Sequence, residues 1–211
     1  MKKVKDIYQQ AYDQHGNSLE SLFIPKGRQK ERFDSLSTFC SEGSSILDFG
    51  CGFGHLYGYL KNKLNAFTYE GCDIVDNFVN ENKQNINDDF FYKIDDYLDV
   101  AKNYDFIIAA GVFNLLYSEN RKEHKKIVTE TITHLFHKTN KVLSINFMSD
   151  QVDFEAPDAY HQNIFEIYNF SFNNLSRRIN IDQSYMPYEY TIHIFNDSEI
   201  IKPDNVFRPI K

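Results

Sequence analysis

Tryptophan is absent from the 211 residues, and only three cysteines, three methionines and five prolines occur. Cys40, Cys51 and Cys72 have neither a CxxC spacing nor a Cys/His metal spacing, so neither a disulfide framework nor a zinc site is indicated. They read as reduced structural thiols of a cytoplasmic chain. No apolar stretch approaches the roughly 20 residues of a membrane span, and no apolar stretch behind the N-terminal Lys2 and Lys3 marks an export signal. Positive charge is in deficit: 23 Lys and Arg against 30 Asp and Glu leave a net charge of -7. That disfavours a nucleic-acid partner, because affinity for a polyanion rests on neutralising its phosphates. Short basic clusters at 2–5, 28–32 and 121–126 remain, with acids mixed into the last two, and read as solvated faces.

What is present in excess is aromatic: 14 Tyr and 19 Phe. A compositional habit that also favours Lys and Asn accounts for them, and an aromatic-lined cleft is the alternative. The length suits one domain with a full core. Phe33, Leu36 and Phe39 recur at helical spacing within 27–39, so residues 1–40 are expected to form a helical cap or lid. From Ser44 short apolar runs alternate with helical patterns. Strands are expected at 45–49, 67–72, 90–94, 104–110 and 141–147. Helices are expected after the first strand (Leu56, Tyr59, Leu60), at 75–83 and at 118–136, the last with Ile127, Ile132, Leu135 and Phe136 inward. Such alternation predicts a parallel sheet covered on both faces. A helix at 163–173 and two strands at 177–181 and 188–195 follow, and a loop that short joins only antiparallel strands. The expected fold is therefore α/β, a Rossmann-like doubly wound, seven-stranded, mostly parallel sheet with a C-terminal antiparallel hairpin. The core would occupy 44–197 and a loose tail 198–211.

Between the first strand and its helix lies Asp48-Phe49-Gly50-Cys51-Gly52-Phe53-Gly54. A glycine-rich turn there lets a ligand approach the backbone at the carboxyl ends of the strands. The dinucleotide pattern G-x-G-x-x-G fails, since its third glycine falls on His55. An acid at the strand end, Asp48, would also repel a pyrophosphate. Asp73 closes the second strand, 25 residues on, where a carboxylate can accept from both ribose hydroxyls, and Ile74 beside it offers an apolar face. Each of these acids is equally the kind of residue that caps a helix; their order along the chain favours the ligand reading.

The D-x-G-x-G-x-G pattern resembles motif I of the class I methyltransferases. The order of motifs from Asp48 through Ala110 to the closing strand is similar to small bacterial methyltransferases of surface-polysaccharide biosynthesis. Their H-G-x-S and Q-x-x-R-F segments have counterparts in His15-Gly16-Asn17-Ser18 and Gln29-Lys30-Glu31-Arg32-Phe33. The resemblance implies S-adenosylmethionine as cofactor, held by Arg32, Asp48, Gly50, Gly52, Asp73, Ile74, Asp96, Tyr97, Ala110 and Asn114. Asp48 would hold the ammonium directly or through water, Asp96 (chosen over Asp95 by spacing) the adenine amine, and Arg32 the methionine carboxylate through its two-pronged guanidinium. The other reading of Arg32 is an exposed helix residue paired with Glu31 or Asp34.

The segment Ala109-Ala110-Gly111-Val112-Phe113-Asn114 lacks the Pro-Pro-aromatic motif of adenine-N6 enzymes, and no Pro-Cys pair of the cytosine-C5 kind occurs. Ala110 and Gly111 also stand where metal-dependent catechol-type enzymes would want a carboxylate. The resemblance implies methyl transfer to a small polar acceptor, preferably an oxygen of a sugar or phosphorylated sugar. N-methylation of a small amine, or cofactor binding without catalysis, are the alternatives. A hydroxyl acceptor needs a base, and His161 is the first candidate and His15 the second. His124, His134 and His137 are expected on a polar helix face, and no metal site is expected. Tyr160, Tyr185 and Tyr188 are candidates for the acceptor pocket. The acids Asp150, Asp153, Glu155 and Asp158 form a loop that would suit a cationic acceptor or simply be solvated.

Overall fold

The computed structural model describes residues 2–23, 28–155 and 159–196. The chain order is α1 (Lys2–His15), α2 (Gln29–Leu36), β1 (Ser44–Phe49), α3 (His55–Lys63), β2 (Phe67–Asp73), α4 (Asp76–Asn85), β3 (Phe91–Lys93), β4 (Tyr104–Ala109), α5 (Arg121–His137), β5 (Thr139–Ser149), β6 (His161–Gln162), α6 (Ile164–Asn174), β7 (Ile179–Asp182) and β8 (Glu189–Phe195). The strands form one sheet in the order β3-β2-β1-β4-β5-β8-β7, with β6 paired to β5 off that path. The pairs from β3 through β5 are parallel, whereas β8 runs antiparallel to both β5 and β7. The α/β sheet with its C-terminal hairpin is thus the one expected, with an eighth, two-residue strand β6 that no periodicity could announce. The tail 198–211 lies outside the described residues.

Alternation along the central strands sorts their apolar side chains to two faces. Leu47 and Phe49 of β1, Ile107 of β4 and Leu143 of β5 pack with Ile132 and Leu135 of α5. Ile46, Phe106, Ile108 and Val142 pack on the other face with Phe33 and Leu36 of α2 and Leu56 and Leu60 of α3. Both faces of a central strand being covered is what makes its sequence read as a continuous apolar run. A third cluster, Phe53, Val75 and Phe78, lies beside Tyr8, Tyr12 and Leu22. Helix α1 is anchored over it by Lys5 to Asp76 at 2.8 Å and by the Tyr12 hydroxyl to Glu81 at 2.8 Å.

One expectation about α5 is overturned. His124 is completely buried rather than on a polar face. Its Nδ1 accepts from the Tyr117 backbone N–H at 3.0 Å, and its ring lies 3.9 Å from that of Tyr160, so the imidazole serves as a polar plug for a loop end. Burial holds its pKa down to about 4, with Arg121 adding to the effect. His134 is also engaged, through Nε2 to the Val100 carbonyl at 2.9 Å. Ile127 is only half-buried at the edge of the core.

Candidate functional site

The turn after β1 is wound tightly because three of its glycines take positive φ, +76° at Gly50, +50° at Gly52 and +67° at Gly54. A side chain is strained there, and at Gly50 a Cβ would come within 2.6 Å of Val112 Cγ2. The Gly50 and Cys51 amides both donate to the Cys72 carbonyl, at 2.8 and 3.0 Å, which fastens the turn to the end of β2. Asp73 completes the fastening: its Oδ2 accepts from Gly52 N at 2.9 Å and its Oδ1 from Val75 N at 2.9 Å. Asp48 accepts at Oδ2 from the Tyr69 hydroxyl at 2.8 Å.

These groups face a cavity of about 370 Å³ over the carboxyl ends of β1, β2 and β4. Burial pushes the Asp48 carboxyl up to about 7, against the Tyr69 hydrogen bond and helped by the charge of Asp73. Asp73 is raised by burial to about 6, against the pull of the backbone N–H groups of Val75, Gly52 and Ile74. Beside them Ile74, Ile94 and Val112 form an apolar part of the wall, and Val4, Tyr8, Leu22 and Phe23 reach it from the N-terminal segment.

Toward β5 and β8 the wall becomes polar. Arg32, 6% exposed, and Glu189, 5% exposed, form a two-pronged ion pair with Nε–Oε2 at 2.9 Å and Nη2–Oε1 at 2.5 Å. Asn146 Nδ2 donates to the same Glu189 Oε2 at 3.1 Å, and Asn146 Oδ1 accepts from Gly111 N at 2.5 Å. One network therefore joins α2, β8, β5 and the end of β4. Gln29 and His55 meet at 3.1 Å on the same wall, and burial lowers the His55 pKa. The Asn114 Oδ1 is held by Met148 N at 3.3 Å.

Of the residues singled out in the sequence, Arg32, Asp48, Gly50, Gly52, Asp73, Ile74, Ala110, Asn114 and Tyr188 line the cavity. Arg32 is paired with neither Glu31 nor Asp34; its partner is Glu189. Asp96 and Tyr97 are not on the wall: Asp96 caps a 3-10 turn by accepting from Leu98 N at 3.1 Å, and Tyr97 packs beside His134. Ile94 lies on the wall instead. His15 ends α1 on the exposed surface. His161 is buried behind the wall, with Nδ1 at 2.7 Å from the Ser149 carbonyl and Nε2 closed off without a partner among the described residues. Tyr160 is buried with its hydroxyl on Gln162 at 3.2 Å, and Tyr185 accepts from Thr191 at 3.1 Å; neither reaches the cavity. Of the acidic loop, Asp158 lies outside the described residues, Asp150 accepts from Asn163 at 2.7 Å, and Glu155 pairs with Arg121 at 3.5 Å. Among the described residues no three His, Cys, Asp or Glu side chains gather as a metal site.

Glu189, Gln29 and His55 are wall residues that sequence reasoning passed over. A signal for Glu189 did exist. It is the one charged residue of an otherwise uncharged strand, and an antiparallel strand begins where its parallel neighbours end, so its first residue belongs to the ligand side.

No protein-family model matches the sequence, and no curated protein matches it. Solved structures do. The magnesium protoporphyrin IX methyltransferase ChlM of Synechocystis PCC 6803, with bound SAH, is 19% identical with a TM-score of 0.63, covering 92% of this chain and 94% of that one. The plantazolicin methyltransferase BpumL, in complex with a desmethylPZN analog and SAH, is 17% identical with a TM-score of 0.63, covering 92% and 95%. A TehB-like SAM-dependent methyltransferase from Corynebacterium glutamicum is 17% identical with a TM-score of 0.56, covering 93% and 99%. The architecture of this chain, over nearly its full length, is the Rossmann-like fold that these methyltransferases share.

Proposed function

We propose that the chain binds S-adenosylmethionine and transfers its methyl group to a small polar acceptor. The observation that carries the reading is the placing of Asp73, a buried carboxylate on the cavity wall beside a turn of positive-φ glycines. Its oxygens keep lone pairs for two ribose hydroxyls, and Ile74, Ile94 and Val112 supply a slot for adenine. Asp48 and the Gly50–Gly52 backbone suit the ammonium head, and the remaining edge of Arg32, steadied by Glu189, the carboxylate. That structural neighbours have SAM or SAH in their names supports the cofactor.

Methyl transfer is an in-line displacement: the acceptor atom bonds the methyl carbon as the sulfonium bond breaks. Holding the two partners in line and dry supplies most of the acceleration. Ala110 and Gly111 leave room at the wall for this approach. When the acceptor is a hydroxyl, its proton goes to a wall group. His55 is the candidate acceptor of that proton: its Nδ1 is held by a single neutral donor, Gln29, which the substrate hydroxyl would displace, whereas Glu189 is held by both Arg32 and Asn146. Neither His161 nor His15 touches the cavity. An oxygen of a sugar or phosphorylated sugar, the acceptor implied by the resemblance to surface-polysaccharide enzymes, heads the panel to be screened.

Calorimetric titration with S-adenosylmethionine and S-adenosylhomocysteine tests the reading. Micromolar binding that Asp73→Asn weakens at least tenfold is expected, while no binding of either ligand to the wild-type protein would sink it.

A further inference from the structure

Arg28, the residue before α2, stands out for what it lacks. In a chain of net charge -7 it is an exposed guanidinium with no carboxylate partner among the described residues. The basic residues that follow it on the same segment are engaged: Lys30 with Asp34 at 2.7 Å, Arg32 with Glu189. Arg28 instead lies over the ring of Tyr188, 5.0 Å from its centroid, and Tyr188 is part of the cavity wall. Stacking on an aromatic face holds a guanidinium in place while leaving its N–H edges free.

Among the described residues the inside of the cavity offers no second cation. Arg32 is, among the described residues, the only Lys or Arg on its wall, and two of its nitrogens are taken by Glu189. A second anionic group buried there, beside the cofactor carboxylate that takes the remaining edge of Arg32, would stay uncompensated. At the mouth the balance differs. Arg28 has no carboxylate partner among the described residues, and its exposed guanidinium projects from the start of the eight-residue helix α2.

We propose that the Arg28–Tyr188 stack reads an anionic group, a phosphate or a carboxylate, carried by the acceptor at the mouth of the cavity. The acceptor then enters with its uncharged, nucleophile-bearing end first and leaves its anionic handle outermost. This rests on the methyl-transfer reading and adds to it the class of acceptor.

Phenyl phosphate and phenol share a ring and differ in the handle, so they serve as probes. Each is titrated by calorimetry into the protein saturated with S-adenosylhomocysteine. Phenyl phosphate is expected to bind more tightly than phenol, and its affinity to fall as salt is raised. Arg28→Gln should weaken phenyl phosphate at least tenfold, leave phenol within twofold, and leave the affinity for S-adenosylhomocysteine unchanged. Tyr188→Leu, which frees the guanidinium from its seat, should also weaken phenyl phosphate. Equal binding of phenyl phosphate to wild type and Arg28→Gln, or no binding to the wild type, overturns the proposal. So does loss of S-adenosylhomocysteine affinity in Arg28→Gln, which would assign Arg28 to the cofactor. Should S-adenosylhomocysteine fail to bind the wild type, the methyl-transfer reading falls by itself, and the same comparison on the unliganded protein still decides the role of Arg28.

Discussion

Arg32 and Glu189, 157 positions apart, close a two-pronged ion pair between α2 and β8 inside the cavity wall. Removing one partner of a buried pair leaves an uncompensated charge and costs roughly 3–5 kcal/mol. Glu189→Ala and Arg32→Ala should each lose about that much in urea denaturation. The double variant Arg32→Met/Glu189→Leu should lose less than either, since both charges leave together. Single variants within about 1 kcal/mol of wild type would show that solvent reaches the pair.

Gly50→Ala places a Cβ at positive φ and against Val112, itself on the wall. Strain of about 1–2 kcal/mol and a displaced Val112 should lower S-adenosylhomocysteine affinity at least tenfold. Gly58→Ala is the control. It sits in α3 with open space around it, so it should stabilise the protein by roughly 0.5–1 kcal/mol and leave binding alone.

Asp48 is raised from 3.8 to about 7, so the folded protein keeps a proton that the unfolded chain releases. That stability is present below about pH 4 and is lost as pH rises toward 7. His124 and His193, both lowered from 6.5 to about 4 by burial, act oppositely and lose stability as pH falls through that window. Differences between proteins isolate the Asp48 contribution. The melting temperature of Asp48→Asn relative to wild type should be higher at pH 8 than at pH 5, and a constant difference would contradict the assignment.

Ligand binding should reveal the same carboxyls. An ammonium beside Asp48 and hydroxyls beside Asp73 favour the ionised forms, so S-adenosylhomocysteine should release protons on binding at pH 6. Calorimetry in buffers of different ionisation enthalpy measures this, and proton uptake would place both acids away from the ligand. His15→Ala, on the exposed end of α1, should change stability by less than about 0.5 kcal/mol and leave this binding intact.

The sheet was legible because its signals are local. Short apolar strands, the helical periods between them and the glycines of the turn each lie within one short window. Asp48, Gly50, Gly52 and Asp73 could be placed for the same reason: the end of a parallel strand is a ligand-side position wherever it occurs. Asp96 misled because spacing alone cannot distinguish a carboxylate facing a cavity from one capping a turn, and here Leu98 N takes it. His161 misled because nearness in sequence to the end of β5 says nothing of depth, and its Nε2 is sealed in protein.

By itself the sequence determined the sheet, its parallel strands with their antiparallel hairpin and the turn at which a ligand meets backbone, all set by chain-local periodicity, by connection length and by conformations that only glycine adopts easily. The tertiary structure decided which polar groups neutralise one another. Glu189 answers Arg32 across 157 positions, Tyr69 answers Asp48 from the neighbouring strand, and Arg28 answers no acid among the described residues. Charge compensation in a low-dielectric wall depends on distances of a few ångströms between elements far apart in the chain, and no local pattern carries that information.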